Sequence, residues 1–237
     1  MSSSLPQLTL GLFENAKFEL TDYVAGPNQL ALESLKNWLD GHGSWFLFLL
    51  GPSGTGKSHL VQATISELGR LQRRAMYIPL IDVLHHGPSI LSDLESIDFV
   101  VIDDIDSAAG NGEWEEALFN FFNRLQDSGS RLLVSSTDRT QDIGIRLADL
   151  RSRLASGLTL TLNELADGDK KIALQRRAAS RGLTMPNNVA NYLISRVCRD
   201  MHELTTIFER IDAASLSAGR ELTIPFIRDV VGIDHSP

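Results

Sequence analysis

The sequence predicts an α/β protein with a parallel sheet, followed by a small all-helical domain. Three observations carry that prediction. Short apolar, strand-like runs alternate with helical stretches from about Lys17 to Asn163, the order from which doubly wound sheets are built. One of these runs leads directly into a glycine-rich loop that opens a helix. After Asn163 the strand-like runs stop and only helical periodicity remains.

In chain order the expected strands are 45–50, 75–80, 98–102, 131–135 and 158–162. The helix Trp114–Gln126 puts Leu118, Phe121, Phe122 and Leu125 on one face, a stripe that packs on a core and implies no cofactor. The last part divides into helices Asp167–Arg181, Pro186–Val197, Asp200–Ala218 and Thr223–Val231. Pro186 and Pro225 stand early in their segments, where a missing N–H is tolerated. The expected organisation is a short tail over 1–14, an α/β domain over 15–163 and a helical domain over 164–237.

Between the first strand and its helix stands Gly51-Pro52-Ser53-Gly54-Thr55-Gly56-Lys57-Ser58, followed by His59. This is a complete G-x-x-x-x-G-K-S loop. Its glycines let backbone N–H groups face phosphate oxygens, Lys57 can reach the β- and γ-phosphates, and the Ser58 hydroxyl can hold Mg²⁺. The helix that opens there adds the positive end of its dipole. Chance would produce the pattern in roughly one chain in a hundred of this length. A site for a nucleoside di- or triphosphate is therefore expected.

The second half of such a site is a buried strand that ends in acid. Phe99-Val100-Val101-Ile102-Asp103-Asp104 supplies one. An unbroken apolar run suits an interior parallel strand covered on both faces, and its carboxyl end opens onto the ligand crevice of α/β sheets. Asp103 is expected on the Mg²⁺ side, and Asp104 is expected to orient the attacking water. Asp104 is a methylene shorter than the glutamate that many ATPases carry there, so slow unaided hydrolysis is expected.

Composition points to a soluble intracellular chain. No apolar stretch approaches the length of a membrane span, and the start, Met1-Ser-Ser-Ser-Leu-Pro, lacks the pattern of a secretory signal. The single cysteine, Cys198, excludes an internal disulfide; it falls in an apolar helical stretch and is expected as a small core residue. His85 and His86 are expected on a solvated turn. Net charge is −8. Residues 1–163 hold 12 Lys+Arg against 20 Asp+Glu, and no Lys or Arg lies between Arg74 and Arg124. Direct nucleic-acid binding needs a basic face, and none is offered; Arg176 and Arg177 with Lys170 and Lys171 are expected as a solvated helix face.

A P-loop core followed by a small helical domain is the plan of an AAA+ ATPase. The runs Gly51–Ala63, Asp103-Asp104-Ile105 and Leu150-Arg151-Ser152-Arg153-Leu154 resemble the AAA+ module of the bacterial DnaA family of replication initiators. The similarity starts at Phe18-Glu-Leu-Thr-Asp-Tyr-Val-Ala-Gly and extends over nearly the whole chain. No helicase-interaction domain is expected before it and no helix-turn-helix domain after it. That layout, with Trp114-Glu-Glu-Ala-Leu-Phe, Leu174-Gln-Arg-Arg-Ala and Leu222-Thr-Ile-Pro-Phe-Ile, is similar to the family's regulatory branch, whose members inactivate the initiator.

The resemblance implies roles by position. Tyr23, Val24 and Ala25 fall where the family lines its adenine pocket. Thr137 and Asp138 occupy the sensor 1 region. Arg153 matches the arginine finger that reaches a neighbour's nucleotide. His202 stands where a sensor 2 arginine is expected, and an imidazole does not clamp a γ-phosphate as a guanidinium does. Arg199, one turn earlier, is the alternative, and ADP is favoured over ATP as the resident nucleotide.

The tail Gln7-Leu8-Thr9-Leu10-Gly11-Leu12-Phe13 resembles the short clamp-binding peptide of bacterial replication proteins. In an extended chain Leu8, Leu10 and Leu12 share one side and Gln7 can bond at the pocket rim. The implied function is negative regulation of replication initiation. An ADP–Mg²⁺ AAA+ adaptor would dock on the DNA-loaded sliding clamp (the polymerase β subunit) and stimulate ATP hydrolysis by DnaA. It would meet DNA only through the clamp, act in the cytoplasm at the nucleoid and use no membrane, with a homodimer left open. The alternatives are a DnaA-like ATPase in helicase loading or remodelling, and a non-catalytic clamp-binding module with a structural nucleotide.

Overall fold

The computed structural model describes residues 19–92, 94, 96–218 and 221–232. The expected clamp-binding residues Gln7, Leu8, Leu10, Leu12 and Phe13 lie outside them. The chain forms two compact units. The first includes Asn28–Pro52 and Gly56–Leu162; the second includes Thr21–Pro27, Ser53–Thr55 and the chain from Asn163.

The first unit runs α1 (Gln29–Leu39), β1 (Phe46–Leu50), α2 (Lys57–Arg70), β2 (Ala75–Pro79) and α3 (Leu80–Val83), then β3 (Phe99–Asp103), α4 (Gly112–Ser128), β4 (Arg131–Ser136), α5 (Ala148–Ala155) and β5 (Leu158–Thr161). The sheet order is β2-β3-β4-β1-β5, and every neighbouring pair is parallel. Strands this apolar are covered on both faces. Phe46, Phe48, Val100, Ile102, Leu132 and Val134 cluster with Leu118, Phe121, Phe122 and Leu125 of α4 and Leu150 and Leu154 of α5. The alternate residues Leu47, Leu49, Val101 and Leu133 are also buried and face the other side by the period of two. There α1 meets β5, and α2 meets β2 and β3.

The stripe on α4 therefore packs on the sheet, as its spacing predicts. The helix extends beyond the expected Trp114–Gln126. Asn111 caps its start by accepting from the Trp114 N–H at 3.4 Å, and Gly129 ends it in the left-handed conformation. The Phe46 and Phe122 rings meet edge to face at 5.2 Å. Gly157, between α5 and β5, admits no side chain, because a Cβ would stand 2.6 Å from the Phe46 ring.

The second unit contains α6 (Asp167–Ser180), α7 (Asn187–Tyr192), α8 (Met201–Ala218) and α9 (Ile224–Val231). Leu174, Ala178, Leu193, Leu204, Phe208, Ile211 and Ile227 form its core. Two sequence expectations are corrected here. Cys198 is not a helical core residue. A π turn over Leu193–Val197 ends the preceding helix, Cys198 is extended, and its partly exposed thiol donates to Glu203 at 2.8 Å. Arg199 does not share a helical face with His202. The Asp200 carboxylate accepts the Glu203 N–H at 2.9 Å and begins α8, so Arg199 precedes the helix and its carbonyl accepts from Lys170 at 2.7 Å. His85 and His86 are exposed on a short turn. No helix among the described residues is long and apolar enough to cross a membrane.

Candidate functional site

β1 ends at the phosphate loop, where Gly51 is buried and its N–H donates to the Ser136 carbonyl at 3.2 Å. Pro52 and Ser53 are exposed, and Thr55 is buried. Gly56 turns into α2 with φ 94°, a conformation that glycine adopts at no steric cost. Lys57 and Ser58 open α2; Lys57 is buried, Ser58 exposed and His59 half-buried. The Lys57 ammonium donates to the carbonyls of Gly51 at 2.5 Å and Pro52 at 3.1 Å. Burial pushes its pKa down, against the pull of Asp104, Asp106, Asp103 and Asp138. The structure thus gathers four carboxylates around one buried cation.

Asp103 ends β3 and is 5% exposed. Its Oδ2 accepts from the Tyr77 hydroxyl at 3.1 Å, and its Oδ1 accepts from the Ser135 hydroxyl. Burial raises its pKa, while these two bonds and Lys57 oppose the rise. Asp104 differs in exposure and backbone. It is half-exposed, its backbone is left-handed at φ 55°, and its N–H donates to the Ser135 oxygen at 2.9 Å. Burial, then the charges of Asp103 and Asp106, push its carboxyl up to about 6.

Thr137 and Asp138 follow β4. The Thr137 N–H and hydroxyl both donate to Asp106, at 3.4 and 2.8 Å. Asp138 is exposed, and its carbonyl accepts from Ser136 at 2.9 Å. Tyr77, Asp106 and Ser135 were not singled out from the sequence. Ser135-Ser136, a polar pair closing an apolar strand, was the available signal; Tyr77 gave none, because tyrosine is ordinary in strands.

Arg151 and Arg153 lie on α5. Arg151 donates to the Ile145 carbonyl at 2.6 Å and the Arg146 carbonyl at 3.1 Å. Arg153 is half-buried, donates to the neutral Gln126 amide at 3.3 Å and lies 5.9 Å from the Phe122 ring centroid. No carboxylate among the described residues pairs with it. The approach to α5 is fixed by Glu115, which is 2% exposed. Its carboxylate accepts the N–H groups of Gly110 at 2.7 Å, Arg146 at 2.9 Å and Leu147 at 2.8 Å. Burial acts to raise its pKa, but these bonds outweigh it and hold the group low.

Within the second unit, Tyr23 is buried, and Val24 and Ala25 are half-buried. Arg176 holds this segment by donating to the carbonyls of Thr21 at 3.1 Å and Tyr23 at 3.3 Å. Arg177 pairs with Glu209 at 2.9 Å, so the expected solvated face is partly committed to packing. His202 is exposed on the first turn of α8. Gly54 has φ 79°, and a Cβ there would stand 3.2 Å from the His202 N.

Among the described residues no group of three or more His, Cys, Asp or Glu side chains could hold a metal. One hydroxyl, Ser58, and one strand-end carboxylate, Asp103, are a donor set that fits Mg²⁺ held mainly by phosphate and water.

Comparison with known proteins places this geometry. Residues 14–163 match the bacterial DnaA ATPase domain, and residues 167–231 match the Hda lid domain. An uncharacterized protein of Haemophilus influenzae is 37% identical over 228 residues, 96% of this chain and 99% of that one. Domain III of the Thermotoga maritima initiator DnaA shares the fold at TM-score 0.79 and 22% identity, over 94% of this chain and 99% of that one. AMPPCP-bound DnaA from Aquifex aeolicus gives TM-score 0.68 and 24% identity, over 86% of this chain and 68% of that one. The phosphate loop, the acid-ended β3 and the helical unit are parts of one known plan: the chain belongs to the DnaA-type AAA+ ATPase family and carries an Hda-type lid domain.

Proposed function

We propose that this chain is a regulatory AAA+ adaptor that inactivates the initiator DnaA. It holds ADP with Mg²⁺ on its phosphate loop, with Tyr23, Val24 and Ala25 along the adenine and His202 near the phosphates. It docks through Gln7, Leu8, Leu10, Leu12 and Phe13 on the DNA-loaded sliding clamp, and so works in the cytoplasm at the nucleoid. It then presents Arg153 to ATP held by DnaA. The division into a tail, an ATPase domain and a lid at residues 14 and 163 belongs to the same reading. Family membership supports the link to DnaA, and the AMPPCP in the related Aquifex protein supports an adenine nucleotide.

The state of Arg153 carries the proposal. Its neighbour Arg151 is spent on two carbonyls of its own chain, whereas Arg153 has only an amide contact and a ring. A guanidinium without a carboxylate partner keeps its charge available for an anion. Across a subunit junction it would stabilise charge as the γ-phosphoryl group leaves, an effect of about 10³–10⁵ in rate for comparable fingers supplied in trans. Ser58 and Asp103 would hold Mg²⁺, which when bound neutralises phosphate charge. Asp104 fits a protein that turns over little ATP itself, because its side chain is a methylene shorter than the glutamate that many ATPases carry there and reaches less far toward a water.

Turnover of initiator-bound ATP tests the reading. With labelled ATP on DnaA, and clamp and DNA present, adding this protein should speed hydrolysis, and omitting the clamp should remove the effect. Rapid hydrolysis on this chain without DnaA would favour the helicase-remodelling ATPase. Clamp binding without any change in DnaA turnover would leave a non-catalytic clamp module.

A further inference from the structure

The Asp103 carboxylate is held by two hydroxyls from two different strands, and the parallel register explains how. Pro79 lies opposite Asp103, so Tyr77 is on the same side of β2, two residues back. Ile102 lies opposite Val134, so the next residues in line are Asp103 and Ser135. The Tyr77 hydroxyl donates to one carboxylate oxygen at 3.1 Å and the Ser135 hydroxyl donates to the other. Ser135 is fully buried, and its oxygen also accepts the Asp104 N–H at 2.9 Å. One hydroxyl therefore ties the strand-end acid to the left-handed turn that follows it.

We propose that Tyr77 and Ser135 are positioning residues for Mg²⁺. They hold the Asp103 carboxylate in one orientation beside the charge of Lys57. The inference rests on the reading of that loop as a nucleotide–Mg²⁺ site. A carboxylate offers about four acceptor directions, and two are taken by groups that the sheet fixes. Without them the carboxylate rotates about its last torsion, which is broad and has no strong intrinsic preference. Partners that orient a metal-side ligand in this way typically carry about 10–100-fold in metal affinity.

The test compares ADP affinity with Mg²⁺ present and with EDTA, by calorimetry on the full chain. Tyr77→Phe keeps the ring and its packing; Ser135→Ala removes the second donor. Each should cut the Mg²⁺-linked gain in ADP affinity by about 10-fold or more and leave the EDTA affinity within about twofold. Binding of Mn²⁺ to the ADP complex, followed by electron paramagnetic resonance, should weaken in parallel. A gain equal to wild type in Tyr77→Phe overturns the inference, as does an equal loss with Mg²⁺ and with EDTA, which marks a purely structural role. If wild type binds ADP with no Mg²⁺-linked gain, the parent reading fails and this one with it. A wild-type gain that survives both substitutions removes the inference alone.

Discussion

The two ends of the parallel sheet use charge in opposite ways. At the amino end Arg131, Arg74 and Asp98 tie turns together, and a hydroxyl helps them. Arg131 donates to the carbonyls of Gly41, His42 and Ser44, Arg74 forms a two-point contact with Asp98, and the Ser130 hydroxyl donates to Ile97 at 2.8 Å. At the carboxyl end the charges crowd one another. Lys57 is pushed down by burial, Asp103 is pushed up by burial, and Asp104 is pushed up to about 6 beside them. Such an arrangement costs stability, and groups tuned this far cluster where a ligand binds. On the proposed function, the amino end stabilises the fold and the carboxyl end serves a charged ligand.

Four substitutions can break or sharpen this contrast. The largest effect belongs to Lys57→Ala, which removes the buried cation of the phosphate loop. ADP affinity measured by calorimetry should fall at least about 100-fold, or about 3 kcal/mol. Arg131→Ala, at the other end, should lower unfolding free energy in urea by about 2 kcal/mol through lost charge-assisted bonds and leave ADP affinity intact. A loss of affinity there comparable to that of Lys57→Ala would erase the distinction between the ends.

Asp104→Asn should act with the opposite sign. The folded protein keeps a proton on Asp104 up to about 6, above the ordinary value of 3.8, so the ionised carboxylate costs stability as pH rises through that window. Asparagine removes the cost and tolerates the left-handed turn. Allowing for its partial exposure, melting of the nucleotide-free protein should show a gain of about 1 kcal/mol at neutral pH. The gain should shrink as pH falls from about 6 to about 4 and be absent below that, where both states bind the proton. A destabilised variant at neutral pH would show that Asp104 serves the fold. Arg74→Ala breaks only an exposed pair and should leave the urea unfolding midpoint within error of wild type, because solvent screens such a pair.

What the sequence disclosed follows from the range of each signal. The loop from Gly51 to Ser58 and the run into Asp103 are local patterns, so the strand–loop–helix and the acid-ended strand are legible without a structure. The four helices after Asn163 are legible because their apolar spacing is continuous. The end of the helix before Cys198 is not, because the apolar residues of Leu193–Val197 give no sign of where the backbone turns out of the helix. The partners of Asp103 are likewise hidden. Tyr77 and Ser135 are 26 and 32 residues away, and only the strand register brings them together. Glu115 is the clearest case: an apparently ordinary acid on a helix is the buried acceptor for three backbone N–H groups ahead of α5.

The central claim is that Arg153 acts on a nucleotide held by another subunit, and one comparison tests it directly. Arg153→Ala and Arg151→Ala are assayed in single turnover with labelled ATP on DnaA, in the presence of clamp and DNA. Both variants should fold and bind ADP, although Arg151→Ala gives up two carbonyl contacts and should melt somewhat earlier. Arg153→Ala should lose the stimulation of DnaA hydrolysis, while Arg151→Ala should retain it. Full activity in Arg153→Ala, or loss confined to Arg151→Ala, would contradict the account.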